Sequence, residues 1–214
     1  GLIKSYIPTS RYTIGGYLRI DGPIDPVIFE KAVNQVIEDN DALRLIIHEG
    51  ESLPTQTVIE NVSVKLDVHD FSEQENAHQS ALEWMQHEFV KPFPLYDGLL
   101  FEFALCKVSA NSYYWFKKYH HLIADGYAIS LIVQRVAAAY NALTDKQFNV
   151  KKIRYSYLDF IQNDQTYLNS DKFTQHQRYW LDKYREVPEP LLTRRYAAQF
   201  AGQVIPSQRS ILHL

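Results

Sequence analysis

Two hydrophobic periods alternate along the chain, and the switches between them mark its elements. Residues 12–20 read Tyr-Thr-Ile-Gly-Gly-Tyr-Leu-Arg-Ile, a run of strand formers ending at the turn Asp21-Gly22-Pro23. Asp25 and Pro26 then supply a helix cap and a proline at the first helical position. Ile28, Phe29, Ala32, Val33, Val36 and Ile37 recur at spacings of three and four, which predicts an amphipathic helix. It ends at Asp39-Asn40-Asp41, and Ala-Leu-Arg-Leu-Ile-Ile over 42–47 predicts a strand. Residues 57–60 and 62–68 are two further strand candidates.

The helical period returns over residues 72–89, with Ala77, Ala81, Trp84, Met85 and Phe89 along one side, until Lys91-Pro-Phe-Pro breaks it. Residues 99–108 and 113–119 predict a hairpin across Ser-Ala-Asn-Ser at 109–112. Ile129, Ile132, Val133, Val136, Tyr140 and Leu143 mark a third helix of about five turns. Two more helices are predicted over 155–169 and 171–185, the last stopped by Pro188 and Pro190, and a strand-like segment covers 210–214. This order mixes strands and helices without strict alternation. It predicts an α+β fold: a mixed, mostly antiparallel sheet flanked by helices. Residues 1–11 lack periodicity and read as a leader or expression remnant, residues 12–187 as one lobe, and residues 188–214 as the start of a connection.

Composition narrows the class of function. With 214 residues, 46% of them hydrophobic, the chain can bury a real core. A net charge of -3 offers no basic surface for nucleic acid. No apolar run approaches the roughly 18 residues that a membrane span requires, and no signal peptide is visible. The expected setting is therefore cytoplasmic, with neither a membrane nor a nucleic-acid partner. The single cysteine, Cys106, sits in an apolar run and reads as a buried structural thiol.

Residues 119–126, Tyr-His-His-Leu-Ile-Ala-Asp-Gly, concentrate the chemistry. They fall between a predicted strand and a predicted helix, a position from which loops commonly present functional groups. His121 can take or hold a proton near neutral pH. Adjacent side chains on a strand point to opposite faces, so His120 and His121 are not expected to serve one reacting atom. A structural role is expected for His120. The same geometry, with no third convincing ligand, argues against a metal site. Asp125 suits a helix N-cap, and Gly126 lets a backbone or a substrate approach closely.

His-His-Leu-Ile-Ala-Asp-Gly resembles the His-His-x-x-x-Asp-Gly motif of non-ribosomal peptide synthetase condensation domains, members of the chloramphenicol-acetyltransferase-like superfamily. Three flanking elements support it. Asp41-Ala42-Leu43-Arg44 is similar to the family's upstream Arg-His-Glu-x-Leu-Arg element, Tyr155-x-x-x-Asp159-Phe160 to a downstream one, and Tyr179-Trp180 to a recurrent pair. Where the family carries a basic residue and a histidine, this chain has Asp39 and Asn40.

The resemblance implies the N-terminal lobe of a two-lobed domain, with the C-terminal lobe absent and a fragment inactive alone. The implied reaction joins a carrier-bound thioester donor to an aminoacyl acceptor. Both substrates ride on phosphopantetheine arms, with no cofactor bound directly. His121 matches the histidine that contacts the amine, as general base or as positioning group. Arg44 matches an arginine expected to pair with Asp125, while His120, Asp125 and Gly126 support the site. Implied partners are carrier proteins, an adenylation domain and the missing lobe, whose absence would expose an apolar face open to dimerisation. Three alternatives remain: a free-standing thioester-dependent acyltransferase, an epimerisation domain, and a non-catalytic carrier-docking module. Tyr127-Ala-Ile-Ser130, which lacks tryptophan, disfavours the epimerisation reading.

Overall fold

A computed structural model describes residues 12–145, 156–189 and 191. The chain divides into two compact units, residues 1–162 and 163–214. In the first unit a four-stranded sheet has the order β1-β6-β5-β4. Its strands are β1 (Thr13–Asp21), β4 (Asp67–Asp70), β5 (Phe101–Ser109) and β6 (Ser112–His120). β1 and β5 flank β6 antiparallel, and β4 joins β5 parallel, so the sheet is mixed and mostly antiparallel. A separate ribbon pairs β2 (Leu45–His48) with β3 (Thr55–Val58).

Helices cover both faces of the sheet. α1 (Pro26–Glu38) and α3 (Gly126–Thr144) pack on one face through Phe29, Val33, Ile132 and Val136 against Phe103, Leu105, Trp115 and Tyr119. α2 (Ala77–Val90) covers the other through Ala81 and Met85, against Ala104, Cys106, Tyr114 and Phe116. β6 is therefore buried at every position. A strand enclosed on both sides carries a near-continuous apolar run rather than an alternating one, as 113–116 does. Cys106 is fully buried, and burial pushes its thiol up to about 12, in keeping with a structural role. No described helix is long and apolar enough to cross a membrane.

Most elements form where periodicity places them, and the departures have local causes. Asp25 caps α1 by accepting hydrogen bonds from the Val27 and Ile28 N–H groups at 2.8 and 3.2 Å. The strand expected over 42–47 begins late, because residues Asp41–Arg44 wind into a 3₁₀ turn before β2. Residues 62–66 keep an inward-facing alternation but pair with a helix instead of a strand. The Asn34 side chain exchanges hydrogen bonds with both backbone groups of Val64, and Glu30 accepts from the Leu66 N–H. The second helix starts at Ala77 rather than Ser72, since Asp70 captures the Ser72 N–H and hydroxyl and bends the chain into a turn.

α4 (Tyr157–Leu168) and α5 (Asp171–Lys183) lie close to their expected bounds. Tyr179 and Trp180 are 56% and 53% exposed, and Trp180 stacks on Tyr184 just past the end of α5. Tyr155 and the segment 210–214 lie outside the described residues.

At Gly15, β1 runs too close to the β6 backbone to admit a side chain. The glycine's φ is +140°, and a Cβ there would stand 2.1 Å from the Lys117 carbonyl oxygen. Gly15→Ala is expected to lower the unfolding free energy by about 2 kcal/mol or more. A denaturant titration reads this as a lower midpoint, and an unchanged midpoint would contradict the β1–β6 register.

Candidate active site

The site is built on the end of the enclosed strand. His120 closes β6 by donating its N–H to the Leu100 carbonyl at 2.8 Å. The chain then turns, and three hydrogen bonds hold the turn around residue 121. The His121 N–H donates to the Tyr12 carbonyl at 2.7 Å, and the Ile123 N–H to the His120 carbonyl at 3.1 Å. The third runs from the Leu122 N–H to His120 Nδ1 at 3.2 Å. Ile123 and Ala124 are buried in the main core and anchor the loop from below. His121 itself is exposed. The outcome is a solvent-facing imidazole on an immobilised backbone.

His120 is 4% exposed. Its ring sits between Phe93, edge-on at 6.4 Å, and Tyr12 at 6.1 Å between centroids. Burial lowers its pKa, and the neighbouring His121 adds to the effect. Accepting a hydrogen bond at Nδ1 requires that nitrogen to be unprotonated, so the neutral ring carries its proton on Nε2. Protonation of Nδ1 would remove an acceptor from the turn that presents His121.

Asp125 is the N-cap of α3. Its backbone is extended (φ -119°, ψ -177°), and its carboxylate accepts from the Ala128 N–H at 2.8 Å. The expected pairing with Arg44 does not form. Arg44 stands one 3₁₀ turn from Asp41 and binds that carboxylate through Nη2 at 2.6 Å, both side chains being largely buried. Its Nη1 donates to the Ile59 and Glu60 carbonyls. Arg44 thus supports the 3₁₀ turn and not the histidine loop. The second Asp41 oxygen accepts from the Tyr157 N–H at 2.8 Å and the Ser156 hydroxyl at 3.1 Å, fixing the start of α4. Asp41 is a joint that periodicity missed. Its sequence signals are its place in the Asp41-Ala42-Leu43-Arg44 element and the i, i+3 spacing to Arg44.

Gly126 opens α3 without the positive φ that would demand glycine, and a Cβ there would meet nothing within 4 Å. Its backbone would accept alanine, a better helix former. The missing side chain leaves open space at the start of α3. Tyr127, the next residue, is 74% exposed.

Two hollows open on the first unit. The smaller, behind the loop, is lined by Asn40, Leu43, Ile123, Ala128, Ile132 and Arg135. The larger opens between β4 and β5 beside Trp84, Glu88 and Phe103, and neither histidine lines it. His121 rather than the larger hollow is the candidate centre, because the three carboxylates that line the hollow, Asp67, Glu88 and Glu102, each have a basic partner, which for Asp67 is His69. Glu88 is paired with Lys91, and Glu102 with Lys118. Among the described residues, no group of three His, Cys, Asp or Glu side chains is arranged to hold a metal ion.

Two outcomes test this geometry. Double-mutant cycles on unfolding free energy should show coupling of about 0.5–3 kcal/mol between Asp41→Ala and Arg44→Ala. Asp125→Ala should cost about 1 kcal/mol as a lost cap and add to Arg44→Ala within about 0.5 kcal/mol. Coupling of Arg44 to Asp125 instead of Asp41 would overturn the assignment. The second outcome concerns pH. A histidine whose folded pKa is depressed adds stability above its unfolded value of about 6.5, which is lost as pH falls through the folded value. Wild type should therefore lose stability relative to His120→Gln as pH drops from about 7.5 to 5. A constant difference would mean that the imidazole titrates alike folded and unfolded.

Comparison with known proteins places these features in a family. Residues 4–209 match the Condensation domain family. The dimodular nonribosomal peptide synthase of Bacillus subtilis (strain 168) is 31% identical over 178 residues, which are 83% of this chain and 8% of that protein. Surfactin synthase subunit 1 of the same organism is 30% identical over 187 residues, 87% of this chain and 5% of that protein. Among solved structures, the starter condensation domain of rhizomide synthetase RzmA superposes with a TM-score of 0.80 at 33% identity, covering 86% of this chain and 45% of that one. This chain thus spans under half of the solved domain and a small part of the synthetases. The mixed sheet flanked by helices matches that domain's fold, a chloramphenicol-acetyltransferase-like lobe. The chain belongs to the condensation-domain family of non-ribosomal peptide synthetases.

Proposed function

We propose that the chain supplies the histidine-bearing half of an amide-forming centre in non-ribosomal peptide synthesis. The acyl donor is a thioester on the phosphopantetheine arm of a carrier protein, and the acceptor is the amine of an aminoacyl group on a second carrier. The amine nitrogen attacks the thioester carbonyl; a C–N bond forms, the C–S bond breaks, and the thiolate leaves with the proton shed by the amine. His121 contacts that amine and holds it in line, or takes its proton. The Gly126 and Tyr127 N–H groups, which open α3 ahead of the Ala128 N–H that Asp125 caps, have no intrahelical partner and suit a developing oxyanion. His120 and Asp125 hold the backbone on either side of His121 and take no part in proton transfer. Carrier proteins and an adenylation domain are the partners this reading requires.

One observation carries the reading: an exposed His121 on a thrice-bonded backbone turn that leads into a helix start left open by Gly126. A rhizomide synthetase starter condensation domain variant, 32% identical to this chain, was solved in complex with C8-CoA and Leu-SNAC. The same ligand chemistry, an acyl donor and an amine acceptor, fits the centre proposed for this chain.

Amide formation from two loaded carrier proteins, assayed by mass spectrometry, tests the proposal. The chain is assayed alone and within the full polypeptide encoded by its gene. Little or no product is expected from residues 1–214 alone, because His121 is open to water. In the full polypeptide, His121→Ala should lower turnover by about 100-fold or more. Gly126→Ala should leave stability equal or higher and still lower turnover, because the added methyl enters the open space and not the fold. Full turnover in the Gly126→Ala protein would remove the ligand from that space.

A further inference from the structure

Tyr12 stands outside every motif, yet two of its groups meet the histidine pair. Its carbonyl accepts the His121 N–H at 2.7 Å. Of the three hydrogen bonds that hold the turn, this one alone comes from outside residues 120–123. Its ring lies against His120, which also meets Phe93, and is itself 47% exposed. Strand ends are ordinarily wet, but the last residue of β6 is buried, with the half-exposed Tyr12 ring packed against it. The residue is tied in by β1, where Thr13 pairs with His120 and Ile14 with Tyr119.

We propose that Tyr12 is a positioning residue for His121: its ring walls off His120 and its carbonyl fixes the backbone of the reacting histidine. The inference rests on the reading of His121 as the residue that meets the acceptor amine. The ring adds a side-chain hold on the sheet end to the one that β1 pairing gives, so without it the Tyr12 carbonyl is held less firmly against the His121 N–H. A solvated His120 also takes a proton more readily and gives up Nδ1 as acceptor for Leu122. The charged groups around His120 do not replace the wall. Lys118, two residues back on the same face, is bound to the Glu102 carboxylate at 2.6 Å and to the Glu88 carbonyl at 3.1 Å. His121 is exposed to solvent, and Phe93 is apolar.

The test uses NMR on the chain together with turnover in the full polypeptide. In Tyr12→Ala, His120 should titrate closer to its unperturbed value of about 6.5. The His121 amide should exchange with solvent about tenfold faster or more. Turnover should drop by about 10- to 100-fold at little change in KM, the pattern of a misplaced group rather than lost binding. Tyr12→Phe keeps the ring and should restore all three. Tyr12→Leu keeps apolar bulk ahead of β1 and stands in should the alanine protein fail to fold. The proposal is overturned if His120 titration and His121 exchange match wild type in the ring-less variants, or if Tyr12→Phe behaves as they do. Both NMR readings are independent of amide formation, so an inactive wild type would refute the functional reading and leave this one to be decided by them.

Discussion

Enclosure of β6 on both faces is the constraint on which the rest of the molecule depends. The strand runs Ser-Tyr-Tyr-Trp-Phe-Lys-Lys-Tyr-His, and every one of its nine residues is buried. Tyr113, Trp115 and Tyr119 enter the core under α1 and α3, while Tyr114 and Phe116 meet α2. A strand held this way cannot slip by one residue, since a slip would move each aromatic ring to the opposite layer. Its end is therefore a fixed point, and the loop that leaves it inherits that precision. The histidine pair sits there because a rigid strand end presents a side chain at defined geometry while loops supply access.

Enclosure also imposes an electrostatic cost on the two lysines of the strand, and they meet it differently. Lys118 is fully buried and hydrogen-bonded to Glu102 and to the Glu88 carbonyl, with its ammonium 4.5 Å from the centre of the Phe93 ring. Lys117 lies on the other face with its ammonium 5.0 Å from the centre of the Trp115 ring, and burial pushes its pKa down to about 8. A lone π face offsets desolvation less well than a carboxylate does. Asp41 and Arg44 follow the pattern of Lys118: a shielded pair with further hydrogen bonds to the backbone, one that acts as a joint. Breaking such a pair is costly because it leaves a charge without its partner.

Much of the fold was legible in the chain because its helices and central hairpin are long and strongly patterned. Asp25-Pro26, the 3.6-residue period of α1 and α3, and the apolar runs of β5 and β6 each express a local preference that packing reinforces. The illegible parts are those where another side chain replaces the expected partner. Residues 62–66 have a strand's alternation but bond to Asn34 and Glu30, 30 or more positions earlier. Ser72 has a helix start's composition but is claimed by Asp70. The Asp125–Arg44 pairing was plausible by charge and motif; it failed because Arg44 had a nearer, better shielded carboxylate.

For the candidate site the division is sharper. The order of residues 119–126 by itself determined that a base, a carboxylate and a glycine fall on one strand-to-helix connection, with Asp125 able to cap the helix after it. Those are properties of spacing and residue type, and a single chain carries them. Tertiary structure decided which histidine is shielded and which faces water, which tautomer His120 adopts, and that the carbonyl fixing His121 belongs to Tyr12, more than a hundred positions away. The physical reason is that strand pairing across that distance is set by which faces can be buried together, and no local pattern encodes a partner that remote.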